Sequence, residues 1–293
     1  ETNTDFIDLG GNNDVVEKQL ELNQKAEKNN VTVIPDCGLA PGLVSIITRD
    51  CVDFLDEVDY VKIRVGGVPL KPVPPFNYQL VFSPNGLINE YVEDALVLDN
   101  KKIVAKNSLT ELEEINFPYP FGKMEAFLTS GGCSTLPYTF RYIIKYLDYK
   151  TIRYLGHCQM IKPLFDIGLG SKEEIKIDSK KVVPRKLLIK LLEEKIPSKG
   201  KDVVLLKGLS KVKKSREKIG LTYQLMDYYD EEKNITAMMR TTAFPVSIIA
   251  QMIDKNIITK KGVFTSEKNI PPEYFFKELE LRDIIINKKV EKI

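Results

Sequence analysis

The chain has a single histidine, His157, in 293 residues. That scarcity excludes a metal site built on imidazoles, leaves a catalytic zinc without its usual ligands, and no metal is expected. A Ser-His-Asp site would have to use His157, and no nucleophile elbow accompanies it. Cysteine is also sparse. Cys37, Cys51, Cys133 and Cys158 are widely spaced with no Cys-x-x-Cys pair, which suits reduced thiols and a cytoplasmic location. An excess of one charge is missing too: 43 Lys plus Arg stand against 41 Asp plus Glu, so neither nucleic acid nor a membrane surface is expected as a partner. No apolar run approaches the ~20 residues that span a bilayer, the start does not read as a signal peptide, and there is no internal repeat or low-complexity tail. With 43% hydrophobic residues, the composition can fill one large domain or two smaller ones.

What is present begins as α/β. Phe6-Ile7-Asp8-Leu9 reads as a strand ending in Gly10-Gly11, and Asn12, Asn13 and Asp14 are good caps for the helix carrying Val15, Val16, Leu20, Leu22 and Ala26. Val31-Thr32-Val33-Ile34 is a second strand. It runs through Pro35-Asp36-Cys37-Gly38-Leu39-Ala40-Pro41-Gly42 into a helix with Leu43, Ile47, Cys51 and Phe54 at helical spacing. Strand, helix, strand and a glycine turn make half of a nucleotide-binding α/β unit. The chain is therefore expected to begin inside a domain.

The pattern changes near residue 58. Val61, Ile63 and Val65 alternate with Lys62 and Arg64, predicting a half-exposed strand that stops at Gly66-Gly67. A shaped proline-rich loop (Pro69, Pro72, Pro74, Pro75) follows. Strands are predicted at 94–105 and 123–129, a helix at 134–147 capped by Ser134, and a long antiparallel hairpin at 203–226. A final helix is expected to open at Thr241-Thr242-Ala243-Phe244-Pro245.

Three segments carry a resemblance: Asp36-Cys37-Gly38-Leu39-Ala40-Pro41-Gly42, Thr151-Ile152-Arg153-Tyr154-Leu155-Gly156-His157, and Thr236-Ala237-Met238-Met239-Arg240-Thr241-Thr242-Ala243-Phe244-Pro245. Val65-Gly66-Gly67-Val68-Pro69 and Phe82-Ser83-Pro84-Asn85-Gly86-Leu87 fit between them. In this order and spacing the chain resembles the saccharopine dehydrogenase-like family, most closely its L-lysine 6-dehydrogenases, from Asp5 to about Ile286. The resemblance implies an α/β fold: the C-terminal half of a Rossmann-like dinucleotide-binding domain (1–56 and 241–293) and a large α+β substrate and dimerisation domain with a mostly antiparallel sheet (57–240). It implies a homodimer, NAD or alternatively NADP as cofactor, and a small amino-acid substrate. The implied reaction is oxidation at a C–N bond, namely oxidative deamination of the L-lysine ε-amine. The alternatives are a saccharopine- or carboxynorspermidine-type dehydrogenase, or a cofactor-free, inactive dimerisation module. Two departures stand out. The family's opening Gly-x-Gly-x-x-Gly unit has no counterpart here, and Ala243 replaces the usual glycine, a cost if that position needs positive φ.

Leu9, Gly10, Gly11, Cys37 and Gly38 lie at strand ends, where a doubly wound sheet places its ligand, and are the candidate cofactor contacts; each glycine could equally serve only its turn. His157 is the candidate proton-handling group or else a packed, hydrogen-bonded histidine. Arg153 and Arg240 are candidates for a bidentate carboxylate grip or for structural ion pairs, and Thr241 for an anion-binding helix start or a cap. Asp8 and Asp36 are further candidate carboxylates, Cys37 a buried small residue or a reactive thiol, and Tyr142, Tyr146, Tyr149 and Tyr154 core or interface aromatics.

Overall fold

Two hydrophobic patterns, short apolar strands early and long alternating strands later, build two sheets. The computed structural model describes residues 3–54, 57–214 and 217–292. Its strands are β1 (Phe6–Ile7), β2 (Thr32–Ile34), β3 (Glu57–Pro69), β4 (Ala95–Asp99), β5 (Lys102–Lys106), β6 (Glu113–Phe117), β7 (Gly122–Leu128), β8 (Ile144–Arg153), β9 (Ile175–Ile177), β10 (Lys180–Val182), β11 (Asp202–Lys214), β12 (Glu217–Tyr228), β13 (Gly262–Val263) and β14 (Asn287–Lys292). The helices are α1 (Asn13–Glu21), α2 (Asn23–Lys28), α3 (Leu43–Asp53), α4 (Pro84–Val92), α5 (Leu136–Phe140), α6 (His157–Asp166), α7 (Pro184–Lys195), α8 (Ala237–Asp254), α9 (Ser266–Asn269) and α10 (Pro272–Glu280).

β1, β2 and β13 form a small parallel sheet in that order. The large sheet runs β14-β12-β11-β3-β8, and the far edge of β8 is shared by the hairpins β4–β5 and β6–β7. Every pairing in it is antiparallel except β3 with β8. The fold is thus a mixed α/β one with a Rossmann-like portion and a mostly antiparallel sheet. One continuous core joins the two sheets: Ile34, Leu43 and Ile47 from the first part pack with Ile63, Leu206 and Tyr223 of the large sheet and Ile249 of α8. Their relative position is therefore set by packing.

Four expectations need correction. β3 does not stop at Gly66-Gly67 but continues to Pro69. The glycines mark close approach instead: a Cβ on Gly66 would lie 2.2 Å from the Ile152 carbonyl oxygen, and one on Gly67 2.4 Å from Met238 Cε. The helix at 134–147 shrinks to α5, because Ile144, Leu147 and Tyr149 have a better partner in the parallel edge of β3. α8 opens at Ala237, not at Thr241, with Thr236 as N-cap accepting from the Met239 N–H and Pro245 inside the helix. The Asp202 carboxylate accepts from the N–H groups of Ala237 (2.7 Å) and Met238 (2.9 Å) at that helix end. Finally, β14 joins the large sheet beside β12, so the boundary drawn for 241–293 does not follow the sheets at residues 287–292.

Gly66→Ala should destabilise the protein by about 1–3 kcal/mol, because a strand carbonyl cannot move aside without breaking its ladder. Chemical denaturation checks this; an unchanged midpoint would contradict the close approach of β3 to β8.

Candidate functional site

A cavity of about 420 Å³ lies between the carboxyl ends of β1 and β2 and the middle of the large sheet. Leu9, Gly10 and Gly11 form one wall with Leu39, Ala40 and Pro41. Val65, Gly66 and Gly67 of β3 and Tyr149, Thr151 and Arg153 of β8 face them, while Phe82, Glu90 and the first turns of α8 (Met238, Met239, Thr242, Ala243) close the sides. Gly67 in β3 lets Met238 of α8 come close to the sheet, and the carboxyl ends of parallel strands are where open α/β sheets bind ligands. Among the described lining residues the only charged side chains are Arg153 and Glu90.

Arg153 is 2% exposed and held through two of its nitrogens. Nη1 donates to the Ile152 carbonyl (2.9 Å), Nε donates to the Tyr91 hydroxyl (3.2 Å), and the guanidinium lies 4.8 Å from the Tyr78 ring centre. Nη2 has no hydrogen-bond partner among the described residues. The chain of bonds continues. Tyr91 Oη and His157 Nε2 are 2.9 Å apart, and His157 Nδ1 lies 2.8 Å from the Phe76 carbonyl oxygen. A carbonyl can only accept, so Nδ1 carries the ring proton and Nε2 accepts from Tyr91. Burial, then the Arg153 charge, push the His157 pKa down to about 3.

Glu90 enters the same cavity from α4. Its carboxylate makes no hydrogen bond or ion pair among the described residues, and burial pushes its pKa up to about 7 even though Arg153 pulls it down. Nothing in the sequence reading singled it out. It sits on α4 directly before the buried Tyr91 and three residues after the buried Leu87. Tyr149 and Thr151 also line the cavity; the Thr151 hydroxyl is 2.7 Å from that of Thr129.

Of the predicted site residues, the structure brings Leu9, Gly10, Gly11 and Arg153 to the cavity and leaves the others outside its lining. His157 is 0% exposed and reaches the site only through Tyr91 and Arg153, so it cannot exchange protons with a ligand there. Arg240 is spent on structure: it pairs with Asp227 (3.1 Å) and Asp230 (3.0 Å) and donates to the Arg282 and Asp283 carbonyls. Thr241 is buried and donates to the Ala237 carbonyl within α8, so it forms no helix start. Cys37 is buried with its thiol pushed far above the ordinary value by burial, which makes it inert. Gly38 serves its turn, since a Cβ there would sit 3.0 Å from the Leu9 carbonyl oxygen. Ala243 is inside α8, where no positive φ is required.

Asp8 and Asp36 shape the glycine wall from behind. Asp8 accepts from the N–H of Gly10 (2.8 Å) and of Asp36 (3.2 Å). Asp36 accepts from the Ser134 hydroxyl, and burial raises its pKa to about 6. A Cβ on Gly10, which has φ +71°, would fall 1.8 Å from Asp36 Oδ1, while one on Gly11 would meet nothing within 4 Å. Gly10 is thus obligatory and the wall is bare. A flat aromatic ring fits such a wall, so Leu9, Gly10 and Gly11 suit the nicotinamide end of a dinucleotide.

Fold and cavity define an α/β protein with a cavity at the carboxyl ends of parallel strands. A family model described as the saccharopine dehydrogenase C-terminal domain matches residues 38–285, and the chain belongs to this family. It is 30% identical over 169 residues to saccharopine dehydrogenase (NADP(+), L-glutamate-forming) of Pyricularia oryzae, a match covering 53% of this chain. That match spans 36% of the relative's length. Its fold is similar to that of apo saccharopine dehydrogenase (L-Glu forming) from Saccharomyces cerevisiae, with a TM-score of 0.74 at 18% identity over 92% of this chain and 76% of that one.

Because His157 is the one histidine, its ring resonances are unambiguous in untagged protein. A pKa depressed to about 3 keeps the ring neutral and Nδ1-protonated throughout pH 5–8. Nitrogen-15 spectra check this; a titration midpoint between pH 6 and 7 would contradict the burial.

Proposed function

We propose that the protein is an NAD(P)-dependent oxidoreductase acting on an amino-acid C–N bond, and that its reaction is oxidative deamination of the L-lysine ε-amine. The observation that carries this reading is the unpaired Nη2 edge of Arg153, presented to an apolar cavity at the carboxyl ends of β1 and β2. A buried guanidinium with open donors suits a carboxylate, because the protein has already met the cost of desolvating and orienting it. The apolar walls, Leu9, Val65, Phe82 and Met238 among them, exclude water from an alkyl chain extending from that anchor. When bound, the nicotinamide cofactor supplies the hydride acceptor; Leu9, Gly10 and Gly11 would hold that end of it.

The charge count favours lysine over bulkier substrates. A substrate with several carboxylates needs several cations, whereas Arg153 is the only cationic side chain among the described lining residues. A second reading, a saccharopine-type dehydrogenase, has its support in the names and match of the two relatives. It would need further cations brought to the cavity.

The test is optical detection of cofactor reduction by L-lysine and by saccharopine, with NAD and with NADP, using protein from the complete reading frame. Lysine-dependent reduction is expected, and reduction by saccharopine alone would replace this reading with the second. Arg153→Met should raise the Michaelis constant for the amino acid roughly 30-fold or more, as loss of a desolvated charge partner does. An unchanged constant would move the carboxylate grip elsewhere.

A further inference from the structure

Glu90 faces the cavity that Arg153 faces, yet the two do not pair. Arg153 is held at Nε and Nη1 and turned by the Tyr91–His157 relay, while Glu90 has every acceptor position open among the described residues. A fixed cation and an unfixed anion on the walls of one apolar cavity are complementary to a molecule carrying a carboxylate at one end and an ammonium at the other. We propose that Glu90 receives the second amine of a diamino monocarboxylic acid, accepting hydrogen bonds from its ammonium and then taking one of its protons. This rests on the reading of Arg153 as the carboxylate anchor and deepens it by naming the group that selects for a terminal amine.

The chemistry balances as a single proton transfer. An N–H bond of the ammonium breaks, its electron pair stays on nitrogen, and an O–H bond forms on the Glu90 carboxylate. The neutral amine then has the lone pair needed to form C=N as hydride leaves the adjacent carbon for NAD(P), the oxidant of the proposed reaction. In water a carboxylate is too weak a base for an alkyl ammonium. In an apolar cavity the neutral pair gains on the charged one, and a carboxyl that titrates near neutrality is the better matched acceptor.

The surroundings leave no rival for the role. The ionisable groups that face Glu90 are Arg153, Tyr78, Tyr91 and Tyr149, and burial pushes all three phenols up, Tyr78 to about 12. The opposite wall, from β1, β2 and α8, presents glycine, alanine, leucine, proline, methionine and threonine. Asp8 and Asp36 lie behind Gly10, engaged with Gln19 and Ser134. Burial pushes the pKa of the unliganded Glu90 carboxyl up to about 7. Below that pH it is protonated and can neither bind an ammonium as an anion nor accept its proton. The specificity constant for the amine should therefore rise with pH to a plateau above about 7. Bound ammonium stabilises the carboxylate, so the same limb in the turnover number moves to lower pH.

The experiment compares wild type, Glu90→Gln and Glu90→Asp by calorimetric binding of L-lysine and of L-norleucine (the same chain length without the amine), alongside pH–rate profiles with L-lysine. Wild type should bind lysine at least ~10-fold more tightly than norleucine above pH 7.5, a charge-assisted contact being worth that much. Glu90→Gln, nearly isosteric, should erase this preference without weakening norleucine, lower lysine turnover about 100-fold, and lose the acid limb; Glu90→Asp should restore part of it. A Glu90→Gln protein that keeps both the lysine preference and the acid limb overturns the proposal. Wild type that binds lysine and norleucine equally, with both weakened by Arg153→Met, overturns it while leaving the carboxylate anchor standing. Wild type that binds neither overturns both.

Discussion

The Arg153 guanidinium is buried at the end of β8, and the site depends on how that charge is kept. Taking such a group out of water costs several kcal/mol unless its donors are met, and here a backbone carbonyl and the Tyr91 hydroxyl meet two of them while the Tyr78 ring lies close beside the guanidinium. The Tyr91 hydroxyl can accept from Arg153 because its own proton is committed to His157, and His157 can accept because its other nitrogen donates to Phe76. Each link fixes the direction of the next. The single histidine is therefore an orienting group, and a charged imidazole there would reverse one bond in the series and place a second cation beside the first.

The same burial logic separates the two arginines. Arg240 meets two carboxylates and two carbonyls, so its donors are consumed inside the fold, where it ties α8 to β12 and to the turn after α10. Arg153 has an edge left over and a cavity in front of it. Because the small parallel sheet and the large sheet share one core, the glycine wall behind β1 stands opposite β8 as a consequence of packing rather than of a hinge.

Much of the architecture could be read from the sequence because two-residue periodicity is strong where one strand face is buried: Val61, Ile63 and Val65 announce β3, and the apolar residues from Val204 to Leu225 announce β11 and β12. Glycine misled where it marks close approach rather than a stop, as at Gly66-Gly67. The helix expected through 134–147 fails because residues 142–147 suit either state, and the free edge of β3 decides between them. Motif positions drew attention to Arg153, Gly10 and Gly11, which line the cavity, but a motif does not tell which side chain is saturated. Asp227 and Asp230 lie on the other side of a strand-to-helix junction from Arg240, and no spacing rule reveals that pairing. Glu90 was missed for a related reason: a lone acid on a helix is ordinarily solvated, and only the packing of α4 with Phe127 of β7, Cys158 of α6 and Leu188 of α7 turns it inward.

The proposed function turns on a carboxylate held at Arg153 in the cavity between the two sheets. The most direct measurement is a crystal structure of the protein with bound L-lysine. The account predicts the α-carboxylate within hydrogen-bond distance of Arg153 Nη2, with the alkyl chain along the apolar walls of the cavity. A carboxylate bound at Arg240, or lysine bound outside this cavity, would contradict it.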